Sequence, residues 1–206
     1  MVPAWRKAGY GAAEAGITAA ETMLQLYLLK FYTDTVGLRS DLVGLAVGIG
    51  IAYDAFADPY FGAVSDRTQT AMGRRRPFIL IGAPLLAAAL FLIFNPPLME
   101  STLWKFIYLA GLYILLNTAM TIVSVPHISL GAEMVFDRNE RTSVYAYRLL
   151  FANVGLLAGS VLPGIFQRMA KPEMMAAAVI GIMLLLTGPA AVLATKGLDR
   201  GESASA

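Results

Sequence analysis

Apolar residues run along this chain in long stretches, not in the short alternations of a soluble sheet protein. A helix needs about 20 mostly apolar residues to cross the hydrocarbon core of a bilayer. Six stretches reach that length, at about 10–33, 41–64, 77–95, 103–131, 143–165 and 174–195. Charges and turn formers separate them: Gly37 to Asp41, Asp66 to Pro77, Asn95-Pro96-Pro97, Asp137 to Arg141, and Arg168 to Glu173. The pattern predicts an all-α membrane protein, with a six-helix transmembrane domain over residues 1–200 and a disordered tail over 201–206. Glu14 and Glu21 sit in the first stretch and no small-residue cleavage pattern ends it, so all six spans are expected to remain in place.

Polarity is distributed unevenly among the spans. The third and sixth are plain: Phe78 to Phe94 holds no charge or amide, and Met174 to Ala194 holds one hydroxyl, Thr187. The other four carry polar groups, giving the order polar, polar, plain, repeated once. That order predicts an inverted 3+3 repeat, a common transporter plan, with plain helices toward lipid and polar ones around a shared cavity. The polar groups are also in helical phase. Glu14, Thr18, Glu21 and Gln25 are spaced 4, 3 and 4 apart, which sets them on one helical face. Asn117, Thr121 and Ser124 do the same in the fourth span. The alternative reading of such groups is helix-to-helix packing.

Composition narrows the class. Of 206 residues, 57% are hydrophobic and 15% charged, and the mean hydropathy is +0.63. Soluble domains average about 45–50% apolar and about 25% charged. A cytosolic enzyme is therefore not expected. Net charge is only +2 and no basic run is interleaved with aromatics, so no nucleic-acid partner is expected. With no cysteine and one histidine, His127, no transition-metal centre or disulfide framework is expected. His127 follows Pro126 on the fourth span, where it reads as a proton relay or as a packed histidine. Eleven of the sixteen Lys and Arg fall in segments that share a side with the N-terminus, and four fall opposite. The positive-inside rule then puts both termini in the cytoplasm, for a multi-pass protein of a bacterial inner membrane.

Asp54 and Asp58 carry the sharpest chemistry. A charged group at mid-bilayer costs about 2.5–3.5 kcal/mol on insertion scales, so such groups face a wet interior. One turn apart, the two carboxylates present hard oxygens to a shared cation. Two like charges in one site oppose each other, and either Na⁺ or H⁺ relieves them. Pro59 follows directly; it lacks an N–H and frees the carbonyl of Ala55, which predicts a kink beside the pair.

Tyr53-Asp54-Ala55-Phe56-Ala57-Asp58-Pro59-Tyr60-Phe61-Gly62-Ala63-Val64-Ser65-Asp66-Arg67, followed by Gly73-Arg74-Arg75-Arg76-Pro77-Phe78, resembles the glycoside–pentoside–hexuronide:cation symporters of the major facilitator superfamily, typified by melibiose permease. Phe31-Tyr32-Thr33-Asp34, Val36-Gly37-Leu38, Pro126, Asp137, Glu140-Arg141 and Tyr147-Arg148 extend the resemblance over nearly the whole chain. It implies the first six-helix half of a fold of about twelve spans. It puts Asp54, Asp58 and Thr121 at cation-site positions, with Ala57 where the sodium-using permease has an amide. Thr18 and Ser124 stand where that family has two galactoside-binding aspartates, and Ile128 where it has the stacking aromatic. A galactoside is therefore not expected. Arg148 keeps the position of a substrate-site arginine, and with Glu14, Thr18, Glu21, Gln25, Asn117 and Ser124 makes the candidate solute set. Gly62, Asp66, Arg67, Gly73, Arg74 and Arg75 match the superfamily's cytoplasmic gate motif, which also serves as positive-inside anchoring.

The function this predicts is symport of a small, sugar-like solute with H⁺ or Na⁺, without an organic cofactor and with no enzymatic step. A half fold with acidic groups on its cavity face needs a second half. A second copy, a separately encoded half, or a longer chain of which this is a piece would each supply it. The competing readings are a non-transporting membrane assembly subunit and a transporter of lysolipids or other amphiphiles.

Overall fold

The computed structural model describes residues 2–135 and 137–198, so the expected tail over 201–206 lies outside the described residues. The described residues form six long helices: α1 Ala4–Lys30, α2 Ser40–Arg67, α3 Arg76–Ile93, α4 Thr102–Glu133, α5 Arg138–Ile165 and α6 Pro172–Ala194. A π-helical turn, Phe31–Thr35, extends α1.

Local chemistry explains the boundaries. Pro77 and Pro172 sit in the first turns of α3 and α6, where a missing N–H costs nothing. Asp137 caps α5, its carboxylate accepting the Glu140 backbone N–H at 2.9 Å. Gly73 takes φ +91° in the α2–α3 turn, a left-handed conformation that a Cβ would strain. α2 runs through Pro59 without a break in its helical assignment.

Five helices, α2 to α6, are long and apolar enough to cross a membrane, by length and composition. α1 is not among them. It has the length, at 27 residues, but Glu14, Glu21, Gln25 and its glycines lower its apolarity.

α1 packs chiefly on α5 and α6, α4 on α2 and α3, and α3 on α6. The main core draws on α1, α3, α4 and α6, with Ala20, Met23, Leu86, Leu90, Leu109, Ala119, Ile180 and Leu184 among its buried members. The plain helices are thus not simply lipid-facing. In their most apolar windows α3 and α6 bury 50% and 44% of residues, against 17–28% for α2, α4 and α5. Their side chains fill the centre of the bundle on one face and remain exposed on the other. α5 instead exposes a run of large apolar residues, including Leu149, Leu150, Leu157, Val161 and Ile165.

The start of α1, the α2–α3 turn, the α4–α5 turn and the end of α6 gather at one end of the bundle. Lys7 Nζ lies 3.6 Å from Glu140 Oε1, and Arg76 Nη2 donates to the Thr195 carbonyl at 2.6 Å. At the opposite end Lys105 Nζ donates to the Val36 carbonyl at 2.6 Å.

Candidate functional site

α2 and α4 bring the two aspartates against a polar stripe. Asn117 Nδ2 donates to Asp54 Oδ2 at 2.8 Å, and Thr121 Oγ1 donates to Asp58 Oδ1 at 2.7 Å. Each pair member is one turn from its neighbour, so the two bonds stack like rungs. Asp54 Oδ1 is buried without a hydrogen-bond partner. Asp58 is exposed on the same face, beside buried Ala57. An orphan carboxylate oxygen next to a second carboxylate is a ready acceptor for a cation or a proton.

Asp54 and Asn117 also line a cavity of about 530 Å³ between α1, α2 and α4, together with Glu21, Gln25 and Tyr113. Gln25 Nε2 donates to Glu21 Oε1 at 3.1 Å across one turn of α1. The cavity thus joins the far part of the α1 polar face to Asp54. Thr18 and Ser124 are half-buried and are not among its lining residues.

The near part of the α1 face goes elsewhere. Arg148 grips Glu14 with both arms, Nε to Oε2 and Nη2 to Oε1, each at 2.8 Å. His127 Nδ1 lies 3.2 Å from the same Oε2. Glu14 and Arg148, both read from the sequence as solute ligands, are therefore paired to each other across α1 and α5. Among the described residues, no group of three or more His, Cys, Asp or Glu is placed to hold a metal ion.

The basic end carries its own network. Arg75, 6% exposed, has its Nη2 at 2.5 Å from Asp66 Oδ1 and 3.2 Å from Glu133 Oε1, while its Nη1 donates to Ser65 Oγ at 2.8 Å. Arg74 Nη2 lies 3.6 Å from the same Glu133 oxygen. Gly62 approaches Val125 of α4, and Arg67, the last residue of α2, is exposed. One guanidinium thus ties α2, α3 and α4 at one point. Because Arg75 is buried and Asp66 is 60% exposed, the two ends of the bridge differ in worth. Arg75→Gln is expected to lower unfolding stability by about 1.5–3 kcal/mol, since it takes from half-buried Glu133 the closer of its two arginines. Asp66→Asn is expected to cost less than about 1 kcal/mol. Thermal melts of the two variants in one detergent check the ranking; equal losses contradict it.

Sequence reasoning missed Ser65, Glu133, Tyr10 and the partner of His127. Two of these had a signal. His127 continues the phase of Asn117, Thr121 and Ser124 by three residues, and Glu133 closes α4 opposite an arginine run. Asp137 and Arg141, which extend the resemblance, do separate tasks: the first caps α5, and the second donates to the Ala132 carbonyl at 3.3 Å.

Residues 9–202 match the family described as MFS/sugar transport protein. "Inner membrane symporter YicJ" of Escherichia coli (strain K12) is 33% identical over 156 residues, 76% of this chain and 34% of that protein. "Putative glycoside/cation symporter YagG" of the same organism is 34% identical over 159 residues, again 76% of this chain and 34% of the relative. "Glucuronide carrier protein homolog", also from that strain, is 30% identical over 172 residues, 83% of this chain and 38% of the relative. The matched segment spans about a third of each relative's length. These relatives are transporters by name, not enzymes. Five membrane-length apolar helices make this an integral multi-pass membrane protein, and the match over nearly its whole length decides its kinship: the chain belongs to the MFS/sugar transport protein family.

Proposed function

We propose that this chain is one six-helix half of a cation-coupled symporter for a small polar, sugar-like solute. The observation that carries this reading is the α2–α4 face, where Asp54, with an orphan buried oxygen, and Asp58 sit beside a cavity lined by Glu21, Gln25 and Asn117. The coupling cation, H⁺ or Na⁺, binds the two aspartates with help from Thr121. The names of two relatives, a putative glycoside/cation symporter and a glucuronide carrier homolog, support a glycoside-like solute. The cavity residues Glu21, Gln25 and Asn117 line its route, with Thr18 and Ser124 on the same helix stripes beyond the cavity.

α1 serves as the sixth span. Its acidic groups point to partners or cavity: Glu14 to Arg148 and His127, Glu21 to Gln25. The helix pairing supports a 3+3 repeat. Exchanging α1 with α4, α2 with α5 and α3 with α6 turns the α1–α5 and α1–α6 contacts into α4–α2 and α4–α3, which are the other main ones. Arginines at the end where α1 starts and α6 finishes support a cytoplasmic position for that end, in an inner membrane.

Because each relative is about three times the matched length, a second six-helix unit completes the cavity. Coupling is then a difference in affinity between inward and outward arrangements of the two units. Native mass spectrometry of the purified protein in nanodiscs tests this. The expected result is a twofold mass or a complex with one other six-helix polypeptide. A stable monomer that takes up no partner overturns the half-transporter reading.

A further inference from the structure

The chain's single histidine is fully buried, with 0% exposure, at the junction of α1, α4 and α5. Its ring stacks on Tyr10, centroids 4.4 Å apart and planes 17° from parallel. The two residues are doubly tied. Tyr10 Oη donates to the His127 carbonyl at 3.1 Å, and His127 Nε2 lies 2.9 Å from the Tyr10 carbonyl oxygen. A carbonyl oxygen only accepts, so Nε2 carries a hydrogen. Nδ1 is buried without a hydrogen-bond partner, and Glu14 Oε2 lies 3.2 Å from it. Arg148 contacts both oxygens of that carboxyl at 2.8 Å, the fork geometry of an ionised carboxylate. An ionised carboxylate also only accepts.

Both ring nitrogens therefore lie within 3.2 Å of an oxygen that only accepts, Nε2 hydrogen-bonded and Nδ1 unpartnered. A neutral imidazole offers one N–H and one lone pair, so it leaves one of the two contacts lone pair to lone pair. Only a ring with a hydrogen on each nitrogen fits both. We propose that His127 is a proton-binding site, in which a proton on Nδ1 bridges to Glu14 Oε2 while Arg148 holds the carboxylate in place. The site is distinct from the Asp54–Asp58 pair. Thr121, which bonds Asp58, lies six residues along α4 from His127, about 9 Å of helix rise.

The proton comes from solvent water and returns to it; one N–H bond forms and breaks, with no change of oxidation state. Glu14 and Arg148 supply the way in, since their side chains are 13% and 22% exposed while the ring is sealed. The charged and titratable neighbours are Tyr10 and Glu14 from α1, and Arg148 with nearby Tyr145 from α5. On α4 itself Glu133 is six residues away and engaged by Arg74 and Arg75. The charged residue of α3, Arg76, is directed to the Met72 and Thr195 carbonyls. Within this cluster one negative and two positive groups leave a surplus positive charge when the proton is bound. The proton site stands independently of the transport reading; only its use in coupling rests on that reading.

A sole histidine makes the test clean. The protein is labelled with ¹⁵N-histidine and placed in phosphatidylcholine–phosphatidylglycerol nanodiscs, and the ring nitrogens are read by NMR. In the wild-type protein both nitrogens are expected to show as protonated. Glu14→Gln is expected to lose the Nδ1 proton at pH 7 and keep Nε2–H. Wild-type protein with one protonated and one lone-pair nitrogen at pH 7 overturns the proposal, without any variant. So does folded Glu14→Gln with both nitrogens still protonated. A static packing role predicts the first of these overturning results. Solute uptake that fails while the two-proton signature holds counts against the symporter reading and not against the site.

Discussion

Replacing Asp54 by Asn is expected to abolish cation stimulation of solute uptake and to leave the chain folded. The amide is nearly the same shape as the carboxylate, so the α2–α4 packing has no reason to collapse. What disappears is charge and one acceptor. In the native chain Asp54 Oδ2 is satisfied by Asn117, whereas Oδ1 is buried and unpartnered. In the variant one of those positions becomes an NH₂ that repels a cation and cannot take a proton. Coupling between two ligands is typically worth about 1–3 kcal/mol, or about 5–150-fold in affinity. Uptake at a saturating cation gradient is therefore expected to fall by about that factor, to the rate seen without the gradient. Asp58→Asn is expected to do the same, because the proposed site takes an oxygen from each carboxylate. Thr121→Ala removes one hydroxyl donor to Asp58, a term of about 1 kcal/mol, and is expected to cost only about fivefold. The measurement is initial uptake into proteoliposomes that hold the complete assembly, with Na⁺ and H⁺ gradients imposed separately. Full stimulation in Asp54→Asn sinks the assignment. Loss of stimulation by one ion alone identifies the coupling ion.

How far the sequence reached differs between fold and site. Helix existence was legible, because long apolar runs interrupted by Gly37, Asn95-Pro96-Pro97 and the arginine run allow little else. The site was legible where polar residues repeat at helical spacing within one element: Asp54 with Asp58, and Asn117 with Thr121. Which element each face would meet was not. Glu14, Thr18, Glu21 and Gln25 lie on one stripe, yet α1 turns Glu21 and Gln25 to the cavity and Glu14 to α5. A single stripe crosses two neighbours because α1 runs past both, and no periodicity encodes that. The plain helices went astray for a related reason. An apolar surface suits lipid and core equally, so hydropathy alone does not tell the buried face of α3 or α6 from the outer one. The sequence does not separate the two roles of His127, because its surroundings come from Tyr10 and Glu14, more than a hundred residues away in the chain.

Close contact between α1 and α5 rests on two glycines, and adding a single methyl at each is expected to separate the helices. A Cβ built at Gly155 overlaps the Ala15 carbonyl oxygen, and one at Gly159 overlaps the Ala19 carbonyl oxygen. Both obstacles are helix backbone, so no side chain can swing aside. Small residues at this spacing let two membrane helices approach closely, and the polar contacts across the seam depend on it. Tyr27 Oη donates to the Ser160 carbonyl at 2.7 Å, and Arg148 meets Glu14 within the same interface. Overpacking costs about 1–3 kcal/mol per site, more where the backbone must shift. Helix propensity acts the other way, favouring Ala over Gly by about 1 kcal/mol. The steric term wins at Gly155 and Gly159 and is absent at Gly111, where a Cβ meets nothing within 4 Å. Gly155→Ala and Gly159→Ala are therefore expected to destabilise, each by about 1–3 kcal/mol, and Gly111→Ala to stabilise slightly. The double variant Gly155→Leu/Gly159→Leu is expected to lower the melting midpoint by on the order of 10 °C and to break the Arg148–Glu14 fork with it. Thermal melts of the four variants decide the matter by sign. A stabilised Gly159→Ala shows that propensity outweighs the clash, and that α1 and α5 do not touch as closely as their carbonyl contacts require.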